Sequence, residues 1–91
     1  MNGRLTKKTR TSDGNVQNIP KQSGVYLLFR GQKKPYVGSA GAGNLQQRIQ
    51  QQLNIKRGIT SMRYRLTSSE AEARKLEAEY RDRYNPEQKN I

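Results

Sequence analysis

The sequence predicts an α+β domain in which a three-stranded, mostly antiparallel sheet is flanked by helices, in the element order β-β-α-β-α. Two neighbouring apolar segments, "SGVYLLFR" and "PYVGSA", have the composition of strands joined by a short turn. The segment "TSMRYRLT" alternates in polarity, and a segment with helical periodicity lies on either side of it. A chain of 91 residues provides for one small domain with a modest core.

The first two strands are predicted to form a hairpin. Residues 25–29 are a continuous apolar run rich in strand formers, which is typical of a strand covered on both faces. "GQKK" supplies the turn, and Pro35 opens the second strand, where a missing N–H does little harm. In the third strand, Arg63 and Arg65 point away from the apolar side, so we expect a basic outer face.

Two helices are predicted from apolar spacing and end signals. In the first, apolar residues recur every four positions from 45 to about 55, after an N-cap at Asn44. The second begins with a capping box formed by Ser69 and Glu72, and Pro86 stops it.

The charge of the chain is strongly positive and unevenly distributed. The formal net charge is +11, and Asp13 is the only acid in residues 1–67, against 13 basic residues. Such a field attracts polyanions, nucleic acid above all, although charge-based solubility and anionic lipid are alternatives. Residues 1–21 are predicted to be a basic, largely irregular N-terminal arm in which one short strand could form, followed by the folded domain at 22–91.

The composition excludes several classes of site. The chain has no cysteine and no histidine, so it has neither disulfides nor the thiolate and imidazole ligands of zinc sites. Catalysis by a Ser/His/Asp triad or a histidine base is excluded for the same reason. Because no apolar run approaches the ~20 residues that span a bilayer, we expect a cytoplasmic protein without a membrane partner.

Glu77 is unusual because helical geometry places it at the rim of the apolar stripe of the second helix. One interpretation is a boundary residue that pairs with Arg81, or with Arg74 one turn earlier. The other is a metal ligand, since magnesium commonly takes one or two protein carboxylates and keeps water and phosphate in its other positions.

Three further residues have a functional and a structural interpretation. Arg48 lies on the flank of the apolar stripe of the first helix, where it could clamp a phosphate or simply pack its stem. Tyr26 and Tyr36 lie on the two strands of the hairpin, where their hydroxyls could converge or their rings could only pack.

"GVY" at 24–26 followed by "YVG" at 36–38 resembles the paired signature of the GIY-YIG nuclease family. The later markers of that family look like Arg48 in the first helix, Glu77 in the second, and then Pro86 and Asn90. The stretch "SEAEARKLEAEYRDRYNP" is similar to the corresponding segment of the excision-repair nuclease subunits in that family. The resemblance covers about residues 22–90.

The resemblance implies a GIY-YIG-like nuclease domain that hydrolyses phosphodiester bonds in DNA. Glu77 would hold one Mg²⁺ or Mn²⁺, and Arg48 would stabilise the charge that grows in the transition state. Tyr26 would orient or deprotonate the attacking water, supported by Tyr36, with nearby positive charge lowering the phenol pKa. Asn90 would hold the scissile strand or brace Glu77.

The chain also departs from the family pattern. Tyr36 and Arg48 are 12 residues apart rather than about ten, and Gln52 replaces a frequent histidine or tyrosine. Ser39 stands where some members have lysine, and Asn85 is a weaker alternative to Asn90. Two other functions therefore stay open: a nucleic-acid-binding module that cleaves weakly or not at all, and a basic protein-interaction domain.

The origin of specificity stays open: the chain could be weakly specific, select DNA by shape, act as a homodimer, be delivered by a partner protein, or be a piece of a longer polypeptide. RNA is an alternative to DNA. The biological setting could be DNA repair, restriction or a mobile element. The residues predicted to contact nucleic acid are Arg4, Lys7, Lys8, Arg10, Lys33, Lys34, Ser39, Arg63, Arg65 and Asn90.

Overall fold

The computed structural model describes residues 5–11, 15–31 and 34–84. They form an α+β domain with one sheet and two helices. The elements are, in chain order, strand β1 (Thr9–Arg10), a 3-10 turn (Asn15–Asn18), strand β2 (Ser23–Phe29), strand β3 (Tyr36–Ala40), helix α1 (Leu45–Ile55), strand β4 (Ser61–Thr67) and helix α2 (Glu70–Tyr84).

The sheet has four strands in the order β1-β4-β2-β3, and every pair is antiparallel. The prediction of three strands was therefore wrong. The additional strand comes from the largely irregular arm, where one short strand was an open alternative and where Thr9 and Arg10 pair with the start of β4. The N–H of Thr6 also donates to the carbonyl of Tyr64 at 2.8 Å, so this segment covers an edge of β4 that would otherwise be unpaired.

Strand β2 is the centre of the fold, and all seven of its residues are buried. On one face, its side chains pack with α2 around Val25, Leu27 and Leu76. On the other face, Tyr26 and Leu28 pack with α1 and with residues of the N-terminal segment. The prediction that this strand is covered on both faces is thus confirmed, and the two helices lie on opposite faces of the sheet.

The prediction of a basic outer face on β4 was wrong. Arg65 and Arg63 lie opposite Val25 and Leu27 in the register, on the face that α2 covers. Both arginines are half-buried, and Arg65 donates a 3.0 Å hydrogen bond to the Tyr80 hydroxyl. The Arg63 Nε atom donates at 2.9 Å to the carbonyl of Thr6, so both guanidinium groups are used within the fold.

The helices begin close to the predicted positions, and of the predicted side-chain caps the one at Ser69 is confirmed. The Asn44 side chain makes no capping hydrogen bond, and its carbonyl accepts from the Arg48 N–H, which starts α1. At α2, the Ser69 hydroxyl accepts from the Glu72 N–H at 3.1 Å, while the Glu72 carboxylate accepts from the N–H of Ser68. The predicted stop at Pro86 lies outside the described residues.

Candidate active site

A pocket of about 320 Å³ lies at the free edge of β3, between the helices on the two faces of the sheet. Alternation along β3 directs Tyr36 and Gly38 toward the α1 face and Val37 and Ser39 toward the α2 face. Residues from both faces therefore meet around this edge. The pocket is lined by Tyr26, Tyr36, Val37, Gly38, Ser39, Arg48, Gln52, Lys56, Glu77 and Arg81.

The four side chains predicted to be catalytic all line this one pocket. Tyr26 comes from β2, Tyr36 from β3, Arg48 from α1 and Glu77 from α2. Ser39, which was predicted to contact nucleic acid, lies among them. Four separate elements thus bring two phenols, a guanidinium and a carboxylate to the same edge of the sheet.

Gly38 allows the Tyr26 phenol to reach the pocket. The two residues are direct partners in the β2–β3 register, and a Cβ atom on Gly38 would overlap the Tyr26 ring and hydroxyl. The phenol therefore lies across the β3 backbone, in space that any other residue would fill. The glycine at the third position of "YVG" is therefore required by the packing of Tyr26 from the neighbouring strand β2.

Burial raises the pKa of Tyr26 from 10.0 to about 12. The Arg48 guanidinium lowers it, the Glu77 carboxylate raises it, and Arg81 has a smaller lowering effect. Nearby positive charge thus lowers this pKa as expected, but burial outweighs it and the net shift is upward. At neutral pH, Tyr26 is a neutral phenol that can donate one hydrogen bond and accept others.

Glu77 is held by two neighbours, one on each oxygen. The Ser39 hydroxyl donates to Oε1 at 2.6 Å, and the Arg81 Nη2 donates to Oε2 at 2.6 Å. The carboxylate side chain is 22% exposed, so it is neither free in water nor sealed in the core. Since a carboxylate has about four lone-pair positions, each oxygen retains one for a further ligand when only the described residues are counted.

The electrostatics of the pocket favour an anion. Arg48, Lys56 and Arg81 contribute three positive charges against the single negative charge of Glu77. The Lys56 ammonium also lies 4.6 Å from the centre of the Tyr36 ring, which places it within cation–π range. A phosphodiester would meet this excess of positive charge beside the carboxylate.

The donor atoms around Glu77 fit a magnesium or manganese ion that keeps most of its ligands as water and phosphate. The pocket offers a carboxylate and the adjacent Ser39 hydroxyl, which are hard oxygen donors. Within the described residues, no three acidic, histidine or cysteine side chains cluster as a protein cage would require. Glu77 would therefore be the anchor of such an ion.

The other predicted nucleic-acid contacts that the structure describes lie away from this pocket. Lys8 and Arg10 are exposed and line a separate, larger groove of about 1000 Å³ at the end of the sheet. Lys7 and Lys34 are also exposed. The predicted residues Arg4, Lys33 and Asn90, and the alternative Asn85, lie outside the described residues.

Two cationic residues of the pocket were not among the predicted site residues. The sequence predicted Arg81 only as an ion-pair partner of Glu77, and its position one turn further along the same helix is the signal that could have placed it here. Lys56 follows the last residue of α1, and its N–H still donates to the carbonyl of Gln52, so Arg48, Gln52 and Lys56 recur every four residues along one side of the helix. This spacing is the signal that could have placed Lys56 beside Arg48.

The fold and site define a small α+β domain with a cationic pocket, containing one carboxylate, at the edge of its sheet. Residues 5–83 match the profile of a family described as a domain of unknown function (DUF7508), and the chain belongs to this family. No curated protein and no solved structure gives a significant match. Among the described residues, no helix has the length and apolar character needed to cross a bilayer.

Proposed function

We propose that this protein is a metal-dependent endonuclease of the GIY-YIG type that hydrolyses phosphodiester bonds in DNA. The observation that carries the proposal is the arrival of Tyr26, Tyr36, Arg48 and Glu77 in one pocket from four different elements. Each group has a chemical use in phosphodiester hydrolysis, and the net positive charge of the pocket suits a phosphate substrate.

The phosphate would be bound by cations on the α1 side of the pocket. Arg48 offers a planar fork of donors that matches two phosphate oxygens, and Lys56 offers a point charge beside it. Both interactions strengthen as charge accumulates on the phosphate oxygens in the transition state, which is the condition for a contribution to rate.

Glu77 would hold one Mg²⁺ or Mn²⁺, with the Ser39 hydroxyl fixing one of its oxygens. When bound, such an ion neutralises a phosphate oxygen and stabilises the leaving oxygen. Tyr26 would orient the attacking water by hydrogen bonds through its neutral hydroxyl, because its raised pKa makes it a poor base. Tyr36 would support this arrangement from β3, beside Lys56.

Nicking of supercoiled plasmid tests the proposal. The purified chain is incubated with plasmid and with branched DNA, in Mg²⁺, in Mn²⁺ and in chelator. We expect nicking that requires the metal and that falls at least about a hundredfold in Glu77→Gln and in Arg48→Met. Glu70→Gln and Arg74→Met are matched controls, because that pair has the same i,i+4 spacing on α2 but does not line the pocket.

A binding module without cleavage is the second candidate. Two observations favour it: Glu77 is engaged by Arg81, and Gln52, which cannot act as a base, lines the pocket. Tight, salt-sensitive DNA binding without nicking in any metal would support this alternative and contradict the nuclease proposal. Single-stranded and double-stranded RNA tested in the same assay would identify an RNA substrate.

A further inference from the structure

Arg81 connects the candidate metal ligand to the edge of the sheet. Its Nη2 atom donates to Glu77 Oε2 at 2.6 Å and to the carbonyl of Val37 at 3.1 Å. Within the described part of the chain, both of its hydrogen bonds leave from this one nitrogen. A guanidinium has five N–H donors, so Nη1 and Nε keep three of them for another acceptor.

We propose that Arg81 is a second phosphate-binding residue, which pairs with Glu77 in the metal-free protein and turns to the substrate phosphate when a divalent cation takes its place. The inference rests on the proposed function, since it concerns the same site. It gives Arg81 a role in binding the substrate phosphate and in controlling the affinity of Glu77 for metal, beyond the structural ion pair that the sequence indicates.

The electrostatics favour this exchange when a cation binds Glu77. A divalent ion on the carboxylate would lie within a few ångströms of the Arg81 guanidinium, and the two positive charges repel each other. Arg81 therefore lowers the affinity of Glu77 for metal as long as no anion is present. A phosphate that accepts hydrogen bonds from Arg81 removes this competition.

The anchoring of Arg81 keeps it in range of the substrate during the exchange. The guanidinium lies beside the carbonyl of Val37 and lines the pocket together with Arg48 and Lys56. Its side chain is 43% exposed, so its reorientation needs no opening of the core. A phosphate in the pocket can thus contact guanidinium groups from both helices.

The exchange predicts that metal and substrate bind cooperatively. Without nucleic acid, the Glu77–Arg81 ion pair lowers the affinity of Glu77 for the metal. Without metal, the same ion pair prevents Arg81 from binding the phosphate. Because coupling between two ligands is reciprocal, each should increase the affinity for the other by the same factor. Metal would then be retained mainly where a phosphodiester is already bound.

A second ion pair on the same helix provides the matched control. Arg74 and Glu70 have the same i,i+4 spacing and a similar N–O distance of 2.7 Å. Their side chains are more exposed, at 72% and 53%, and neither lines the pocket. Substitutions in this pair change the same charges on the same helix without touching the site.

The first experiment measures Mn²⁺ affinity by electron paramagnetic resonance, without nucleic acid. We expect Arg81→Met to bind Mn²⁺ about tenfold more tightly than wild type, since a repelling charge is removed. Arg81→Lys, which keeps the charge, should stay near wild type, and Arg74→Met should change nothing. An Arg81→Met affinity within twofold of wild type would overturn the inference.

The second experiment measures DNA affinity in chelator, where no metal and no cleavage can contribute. Arg81→Met should cost little in the wild-type background, because Glu77 already holds this arginine. In the Glu77→Gln background, the same substitution should reduce affinity several-fold, because the freed arginine then reaches the phosphate. Equal losses of affinity in the two backgrounds would contradict the exchange. The same double-mutant cycle with Glu70→Gln and Arg74→Met gives the coupling expected for an ion pair outside the pocket.

A failure of the proposed nuclease function and a failure of the role proposed for Arg81 give different results. If Glu77→Gln leaves Mn²⁺ affinity unchanged, the metal site fails, and with it the proposed nuclease. If Glu77→Gln abolishes Mn²⁺ binding while Arg81→Met has no effect on it, the metal site stands and only the role of Arg81 is overturned.

Discussion

The Tyr26 phenol lies over Gly38, in the space that a Cβ atom would occupy on any other residue at that position. The contact crosses between paired strands and carries the hydroxyl from the buried centre of the sheet to its edge. The position of this phenol, and thus the shape of the pocket, depends on the absence of a side chain at Gly38.

Gly38→Ala should therefore displace Tyr26. The added methyl group overlaps a ring that is itself buried, so we expect a loss of about 1–3 kcal/mol in the free energy of unfolding. Nicking should fall more than this destabilisation explains, because the hydroxyl leaves the pocket. Denaturant unfolding and the plasmid assay measure the two effects.

Gly41→Ala is the control for that substitution. A Cβ atom on Gly41 would lie 3.0 Å from atoms of the exposed Glu70 side chain, which can move aside. Stability and nicking close to wild type are expected. An equal loss of stability in both variants would show that the overlap with Tyr26 is not the cause.

The raised pKa of Tyr26 predicts a loss of stability at alkaline pH. In the unfolded chain, the phenol ionises near pH 10, whereas in the folded chain it stays neutral until about pH 12. The stabilisation is thus complete below pH 10 and is lost as the pH rises through 12, by roughly 2–3 kcal/mol in all. The difference in unfolding free energy between wild type and Tyr26→Phe should change by this amount between pH 9 and 12.

The same pKa predicts how catalysis depends on pH. If Tyr26 orients water as a neutral phenol, Tyr26→Phe lowers the rate of nicking by a similar factor at every pH from 6 to 9. If Tyr26 is instead the base, the rate of wild type increases with pH and the rate of Tyr26→Phe does not. Parallel pH profiles in the two proteins would support the orienting role, and a flat profile in the variant would refute it.

The groove beside β1 predicts part of the salt dependence of DNA binding. Lys8 and Arg10 are exposed there, and each neutralised phosphate contributes about 0.9 to the slope of log affinity against log salt. Lys8→Gln with Arg10→Gln should reduce this slope by about 1.8. Arg74→Gln with Lys75→Gln removes the same charge from α2 and should leave the slope unchanged. Equal slopes for the two double variants would exclude the groove as a contact surface.

The parts of the fold that were predictable from the sequence are those encoded by local patterns. The bounds of α1 follow from apolar residues that recur every four positions, and the structure confirms them as Leu45–Ile55. Burial of β2 on both faces follows from the uninterrupted apolar run. Strand β1 left no such signal, because two residues paired by backbone hydrogen bonds with β4 need no particular side chains.

For the candidate site, the sequence predicted the chemical groups better than their environment. Tyr26, Arg48 and Glu77 stood out by type and position, but the pKa of Tyr26 depends on burial, which only the packed structure reveals. The partial burial of Arg65 likewise depends on the α2 helix, whose Tyr80 hydroxyl accepts its hydrogen bond. Properties that arise from contacts between distant segments were therefore not predictable from local patterns.

The claim that Arg48 and Glu77 act together on one phosphate at the β3 edge is tested most directly by a double-mutant cycle of plasmid nicking. Residues that form a single catalytic unit have strongly non-additive effects, since losing either one already disables the unit. We predict that the Arg48→Met/Glu77→Gln double variant nicks no more than about threefold more slowly than the slower single variant. Losses that multiply, or single variants as active as wild type, would contradict the claim.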